Sequence, residues 1–313
     1  MFSLSFDVSR SIEIEKPVSE VFQTIANFKN WKEWSPWLCQ EKDCPVVIEG
    51  AEGKVGHAQT WDGKRIGAGT MVLTEVSANK VLSYELNFTR PWKSKSKVGF
   101  KFTPTNAGTQ VVWTMRGSLP IFLFFMKKMM SALVGGDYDR GLMMLKEYME
   151  TGAVVADTDF KGEKELPGFH YVGLKKKTSI NNMPQEMSKD FEKLFSLVQD
   201  GKAKSPDQCL AFYHKYDMVN GTCEFTSAFA YKDRAESLGQ GYEQGEISKH
   251  KSLQVVHTGP YKHLGNSWSA AVGAQRSLKR RPNKSIPFYE VYANNPMEVA
   301  PEQLVTEINI PIK

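Results

Sequence analysis

Apolar and polar residues alternate over SLSFDVSRSIEIEK (residues 3–16), the period of a strand with one buried face. The strand is expected over residues 1–16. Pro17 ends it and suits the first turn of a helix, whose apolar stripe is Val18, Val21, Phe22, Ile25 and Phe28. NWKEWSPW follows, with three tryptophans, and Pro36 breaks the run. From 45 to 116, short alternating runs are divided by Asp62-Gly63, Asn79-Lys80 and Asn106-Ala107-Gly108, which predicts an antiparallel meander. Between 120 and 150 the period becomes helical. Phe122, Phe125, Met126, Met129, Met130, Leu133, Tyr138, Leu142, Leu145 and Met149 sit mostly three or four apart. Gly135-Gly136 mark a kink or a break. LPIFLFFM (119–126) reads as the start of this helix, buried, because a membrane span needs about 20 apolar residues.

Residues 153–166, AVVADTDFKGEKEL, lose the periodicity and carry six charges; they are expected to be a linker. It divides a first domain at 1–152 from a second at 167–313. The second domain contains an echo. AFYHKYD (211–217) and PFYEVYA (287–293) match at an offset of 76, so that His214 stands where Glu290 stands. Each copy is preceded by a strand and a helix and followed by a further strand. In the first copy these are GFHYVGLKKKTS, a helix from near Pro184 with Met187, Phe191, Leu194, Phe195 and Val198 on one face, and CEFTSAFAY. In the second they are SLQVVHTGP, a helix over about 262–278 with Leu264, Trp268 and Val272 four apart, and LVTEINIPI. The unit strand–helix–strand–strand, used twice, predicts one sheet with both helices on one face and a ligand site between the copies.

Composition adds little constraint. The chain has 313 residues, 41% hydrophobic and 24% charged, with a net charge of +5 spread over both halves. No half is strongly basic, so neither a nucleic-acid partner nor an acidic membrane surface is expected, and no membrane insertion. Lys175-Lys176-Lys177 read as a solvated strand end. Cys39, Cys44, Cys209 and Cys223 match no zinc or disulfide spacing and are expected as free thiols in a reducing compartment. No signal peptide or membrane span is visible, and a cytoplasmic location is expected. No metal spacing, phosphate loop or nucleophile triad stands out, and no cofactor is expected.

Strand, short helix, meander and closing helix, carried by IEIEKPVSEVFQTIANFKNWKEWSPW and GGDYDRGLMMLKEYME, resemble the START-like, polyketide-cyclase-type (SRPBCC) helix-grip superfamily. That resemblance implies a cavity for a hydrophobic small molecule; only some members are enzymes. VVHTGPYKHLGNSW and PFYEVYANNPMEVAPEQLVTEINIPI resemble the gyrase-inhibitor-like domain, the effector-binding domain of AraC-type and multidrug-responsive regulators. The fold class is therefore α+β: a helix-grip domain followed by a duplicated effector-binding domain. No helix-turn-helix segment precedes the second domain here, so DNA binding is not carried over.

In that family the glutamate matching Glu290 lies in a drug pocket among aromatic rings and meets cationic or polar ligands, and some members are hydrolases. Buried among rings, a carboxylate attracts a cation, and its raised pKa suits acid–base chemistry. Ligand-binding candidates are Glu290, His214, Tyr213, Tyr216, Tyr261, Trp268, Phe288 and Tyr292. The plain alternative for Glu290 is a half-exposed carboxylate paired with an arginine or lysine; for His214, otherwise a partner for Glu290 or for ligand, it is packing on aromatics; for the rest it is a place in the core. His257 is expected to be structural. Trp31, Trp34, Trp37 and Trp61 either line the first cavity or form core and rim. The expected function is small-molecule binding, as sensor or sequestering protein, for a hydrophobic or cationic molecule. The alternative is a hydrolase or cyclase with Glu290 as acid or base; no catalytic residue is otherwise assigned. A protein partner, as for gyrase inhibitors, is left unidentified.

Overall fold

The computed structural model describes residues 3–233 and 238–313, without the side chains of 3, 4 and 119–123. Met1 and Phe2, expected in the first strand, and the Phe122 side chain, expected on the closing helix, lie outside the described residues. The chain divides into two compact units, 1–155 and 156–313. Both are antiparallel sheets with helices, an α+β fold.

The first unit runs β1 (Ser3–Ile14), α1 (Val18–Ala26), α2 (Trp31–Trp34), β2 (Val46–Glu49), β3 (Ala58–Asp62), β4 (Ala68–Ser77), β5 (Val81–Arg90), β6 (Ser94–Pro104), β7 (Thr109–Pro120) and α3 (Lys127–Thr151). Strands β2 to β7 form the meander, and β1 lies along β7 from Ser3–Pro120 to Ile14–Thr109. Helix α3 is laid on this sheet by aromatic stacking. Tyr138 stacks on Trp113 with ring centres 3.9 Å apart, and Trp113 on Phe100 at 4.9 Å. Gly141 permits the approach, since a Cβ there would sit 2.7 Å from the Trp113 ring.

Two expectations for the closing helix change. Gly135-Gly136 do not break it, because α3 is continuous. Gly135 instead admits the Arg10 guanidinium, which a Cβ would meet at 2.2 Å and which bonds Asp139 at 2.9 Å. The stretch before α3 is a short 3-10 helix, Ile121–Met126, and its Phe124 and Phe125 are exposed rather than buried.

The second unit runs β8 (Asp157–Leu166), β9 (Phe169–Ser179), α4 (Met183–Gln199), β10 (Gln208–Asp217), β11 (Thr222–Tyr231), β12 (Glu243–Ile247), β13 (His250–Thr258), α5 (Leu264–Ser277), β14 (Phe288–Tyr292) and β15 (Val305–Ile312). The two copies of strand–helix–strand–strand are present, with β10 and β14 side by side at the centre. Most of the expected linker is strand β8. Thr158, Phe160 and Gly162 are half-buried while Asp157, Asp159, Lys161 and Glu163 face solvent, so its charges mark an exposed face.

Strand β8 precedes β9 in sequence but pairs with β13, in the other copy, and β12 precedes β13 but pairs with β9. The copies thus exchange their leading strands. Leu166 pairs with His250 and Phe169 with Ile247, so the register runs unbroken through Pro167-Gly168 on one chain segment and Ser248-Lys249 on the other. Two long strands, each made of two pieces, therefore run antiparallel to each other, and β12 and β8 end the strand order of the sheet. One face packs Leu210, Phe212, Tyr289, Val291 and Ile247 together, and the opposite face carries α4 and α5.

Candidate functional site

Glu290 lies at the centre of β14, opposite Ala211 of β10, on the face that carries the helices. It is 1% exposed. Trp268, from α5, donates its indole N–H to one carboxylate oxygen. The Tyr292 hydroxyl donates to the other at 2.8 Å, and the Tyr213 hydroxyl also bonds the carboxylate. Among the described residues no lysine, arginine or histidine forms an ion pair with it. Burial pushes the Glu290 carboxyl above its ordinary range, and the three hydrogen bonds oppose this in part. The neighbouring hydroxyls are held protonated: burial and then the Glu290 charge push Tyr213 and Tyr292 well above the phenol range, and Tyr261 up to about 12.

The rings around the carboxylate come from both copies. Tyr213 meets Trp268 edge-on at 5.1 Å, and Tyr261 meets Tyr292 at 6.0 Å. Phe288 packs toward α5 with Ala271 and Val272. Tyr216 and Tyr261 are 49% and 41% exposed and stand where the cluster reaches solvent. Two side chains of α4 join it that sequence reasoning took only as a helix face. Phe191 meets Tyr292 at 5.7 Å, and Met187 Sδ lies 3.0 Å from the Tyr292 hydroxyl. Their signal was the apolar stripe itself, which does not say whether a stripe meets core or cavity.

His214 is not brought to Glu290. It stands on the other face, beside Phe212, with Nε2 2.8 Å from Thr226 Oγ1, which in turn donates to Glu243 at 3.0 Å. The reason is register. Tyr213 and Glu290 share the helix face, whereas Phe212 and Tyr289 share the other. Equivalent residues of β10 and β14 must therefore be an odd number apart, and an offset of 76 exchanges the faces. A one-residue slip moves every side chain to the opposite side. A bulge between Tyr213 and Lys215 shifts the local pairing further. Burial and the nearby Lys175 lower the His214 pKa.

Other expected residues resolve simply. His257 is 1% exposed and joins Ser267 Oγ at 3.0 Å and the Pro260 carbonyl at 3.3 Å, tying the turn after β13 to α5. Lys176 is not a solvated strand end: it reaches beneath α4 to Asp190 at 2.7 Å and Glu186 at 2.9 Å. In the first unit, Trp34 is core. Trp31, Trp37 and Trp61 help line a cavity of about 70 Å³ between sheet and α3, with Met71, Phe88 and Trp113. Gln59 also faces it, and its carbonyl oxygen has no partner among the described residues. The four cysteines are free. Among the described residues no cluster of His, Cys, Asp or Glu is arranged to hold a metal, and no helix is long and apolar enough to cross a membrane.

Comparison with known families agrees with both folds. Residues 5–150 match the model described as polyketide cyclase/dehydrase and lipid transport, and residues 163–313 match the GyrI-like small molecule binding domain. The chain therefore joins a polyketide-cyclase-type helix-grip domain to a GyrI-like domain, and the second of these is a small-molecule binding fold. Comparison with curated proteins gave no match. Similar solved structures include protein MLL2253 from Mesorhizobium loti, at 18% identity and a TM-score of 0.37 over 47% of this chain and 99% of that one. They also include the Aha1 dimer from Colwellia psychrerythraea, at 17% and 0.35 over 47% and 97%. SAV2435 bound to tetraphenylphosphonium matches at 15% and 0.38 over 50% and 94%.

Proposed function

We propose that this protein binds a lipophilic organic cation at Glu290, as a sensor or sequestering protein. The observation that carries the reading is a carboxylate 1% exposed, held by three neutral donors and paired with no cation among the described residues. Removing a carboxylate from water is costly, and indole and phenol donors offset only part of that cost. A cation seated against the rings of Tyr213, Tyr261, Trp268 and Tyr292 supplies the missing opposite charge, and ring faces attract it further. Phe288, Met187 and Phe191 provide the apolar contact that favours an organic cation over a metal ion.

The test is a titration with tetraphenylphosphonium and with its isosteric anion, tetraphenylborate. Saturable binding of the cation and not the anion is expected; equal binding of both refutes the electrostatic reading. A second reading keeps Glu290 as an acid or base in a hydrolase, since a raised carboxyl pKa also suits proton transfer. Incubation with ester or strained-ring substrates and a mass-spectrometric search for products distinguishes the two: turnover that disappears in Glu290→Gln supports hydrolysis.

A further inference from the structure

A second surface, in the first unit, has a different chemistry. Phe124 and Phe125 are 66% and 67% exposed, Met129 is 43% exposed, and Trp92 is 59% exposed. The two phenylalanines rest edge-on against each other rather than on the sheet. Trp92 lies in the turn between β5 and β6. The pairing of Phe88 with Ser94 and of Ser96 with Gly117 puts that turn at the end of the sheet where β7 runs into the Phe124 segment. Both loops thus present large apolar side chains at one end of the unit.

The chain segment that builds both loops carries charge of one sign, and the nearby Asp62 is taken up by Arg90. From Leu86 to Gly136, 51 residues, the chain carries eight Lys or Arg and no Asp or Glu. Lys93 adjoins Trp92, and Lys127 and Lys128 follow Phe125 within three residues. These three lysines form no ion pair among the described residues, whereas Arg90 is held by Asp62 and Lys95 stands 3.8 Å from Glu85.

We propose that this end of the helix-grip unit docks on an anionic lipid surface, with Trp92, Phe124 and Phe125 entering the headgroup boundary and Lys93, Lys127 and Lys128 on the lipid charges. Protruding Trp and Phe flanked by Lys is the pattern of peripheral interfacial segments. Protein–protein interfaces are instead depleted in lysine, which weighs against a protein partner. The docking is peripheral and independent of the Glu290 site.

Co-sedimentation of the full chain with phosphatidylcholine vesicles, with and without phosphatidylserine, tests the proposal. Binding is expected only with phosphatidylserine and is expected to weaken as salt is raised. Lys127→Gln with Lys128→Gln is expected to lower partitioning about 30-fold, from about 1 kcal/mol per lysine, while Lys127→Arg with Lys128→Arg retains it. Phe124→Ser with Phe125→Ser is expected to reduce binding to background, with near-UV circular dichroism unchanged. No serine-lipid-dependent binding, or binding equal to wild type in both the Gln and Ser pairs, overturns the proposal. So does self-association abolished by Phe124→Ser with Phe125→Ser in a protein that ignores vesicles, which would make the occupant a second copy. Because the readout does not involve Glu290, failure here leaves the cation site standing, and the converse holds.

Discussion

Glu290→Gln removes one charge and keeps the shape of the side chain. At a separation of about 6 Å and an effective dielectric of about 20, the attraction between Glu290 and a bound monocation is worth about 3 kcal/mol, or about 100-fold in affinity. The aromatic contacts survive the change, so weakened binding rather than none is expected. Folding stability should not fall by more than about 1 kcal/mol, because the Gln carbonyl still accepts from Trp268 or Tyr292 and a tyrosine hydroxyl can turn to accept from the amide, and at the higher pH loss of the buried charge acts to stabilise the fold. Calorimetric titration with tetraphenylphosphonium at about pH 8 and about pH 5 supplies both readouts. Burial holds the wild-type carboxyl above its ordinary pKa of 4.5, and a cation favours the ionised form. Wild-type affinity should therefore fall by up to about tenfold per pH unit as pH drops through the raised pKa, while Glu290→Gln stays flat. The sign for stability is the reverse. The contribution of this group is fully present below 4.5 and is lost as pH rises through the raised value. Variant affinity within about threefold of wild type at the higher pH would refute the reasoning, because a buried carboxylate beside a bound cation cannot be that indifferent to its charge.

Further outcomes follow from single contacts. Trp268→Phe keeps a ring and deletes the indole donor, so the Glu290 carboxyl should titrate higher still, read from the pH midpoint of cation binding. Glu41 is 2% exposed and accepts the backbone N–H groups of Lys64, Arg65 and Ile66 at 2.8, 2.8 and 3.1 Å. Glu41→Ala should cost about 2–4 kcal/mol in urea denaturation, and Glu41→Gln less. Gly141→Ala drives a methyl to 2.7 Å from the Trp113 ring and should cost about 1–3 kcal/mol by the same assay. Burial pushes the Cys39 thiol up to about 12, so at about pH 8 it should alkylate about 1000-fold more slowly than an unperturbed thiol, measured by mass spectrometry.

Much of the architecture was legible because it depends on local periods. The alternation in β1, the turn residues of the meander and the Leu264-Trp268-Val272 stripe of α5 each report a face, and a face is a local property. The exceptions were segments whose partners are distant in sequence. DTDFKGEKEL carries too many charges to announce a strand, and it becomes β8 because β13, about 90 residues away, offers an edge. LPIFLFFM carries enough apolar surface to announce burial, yet Phe124 and Phe125 stay in solvent.

The sequence by itself placed Glu290 on an aromatic strand beside Tyr292, and placed Trp268 on a helix that should meet that strand. Both follow from spacing within one copy of the repeat. Which residue of the other copy faces Glu290 was a matter of register, and register is a tertiary property: it depends on how β10 and β14 slide past one another before their hydrogen bonds form. The matching letters of the two aromatic runs favoured His214. The pairing of Ala211 with Glu290 put Tyr213 on the shared face instead, so the carboxylate is held by neutral donors and, among the described residues, meets no cation.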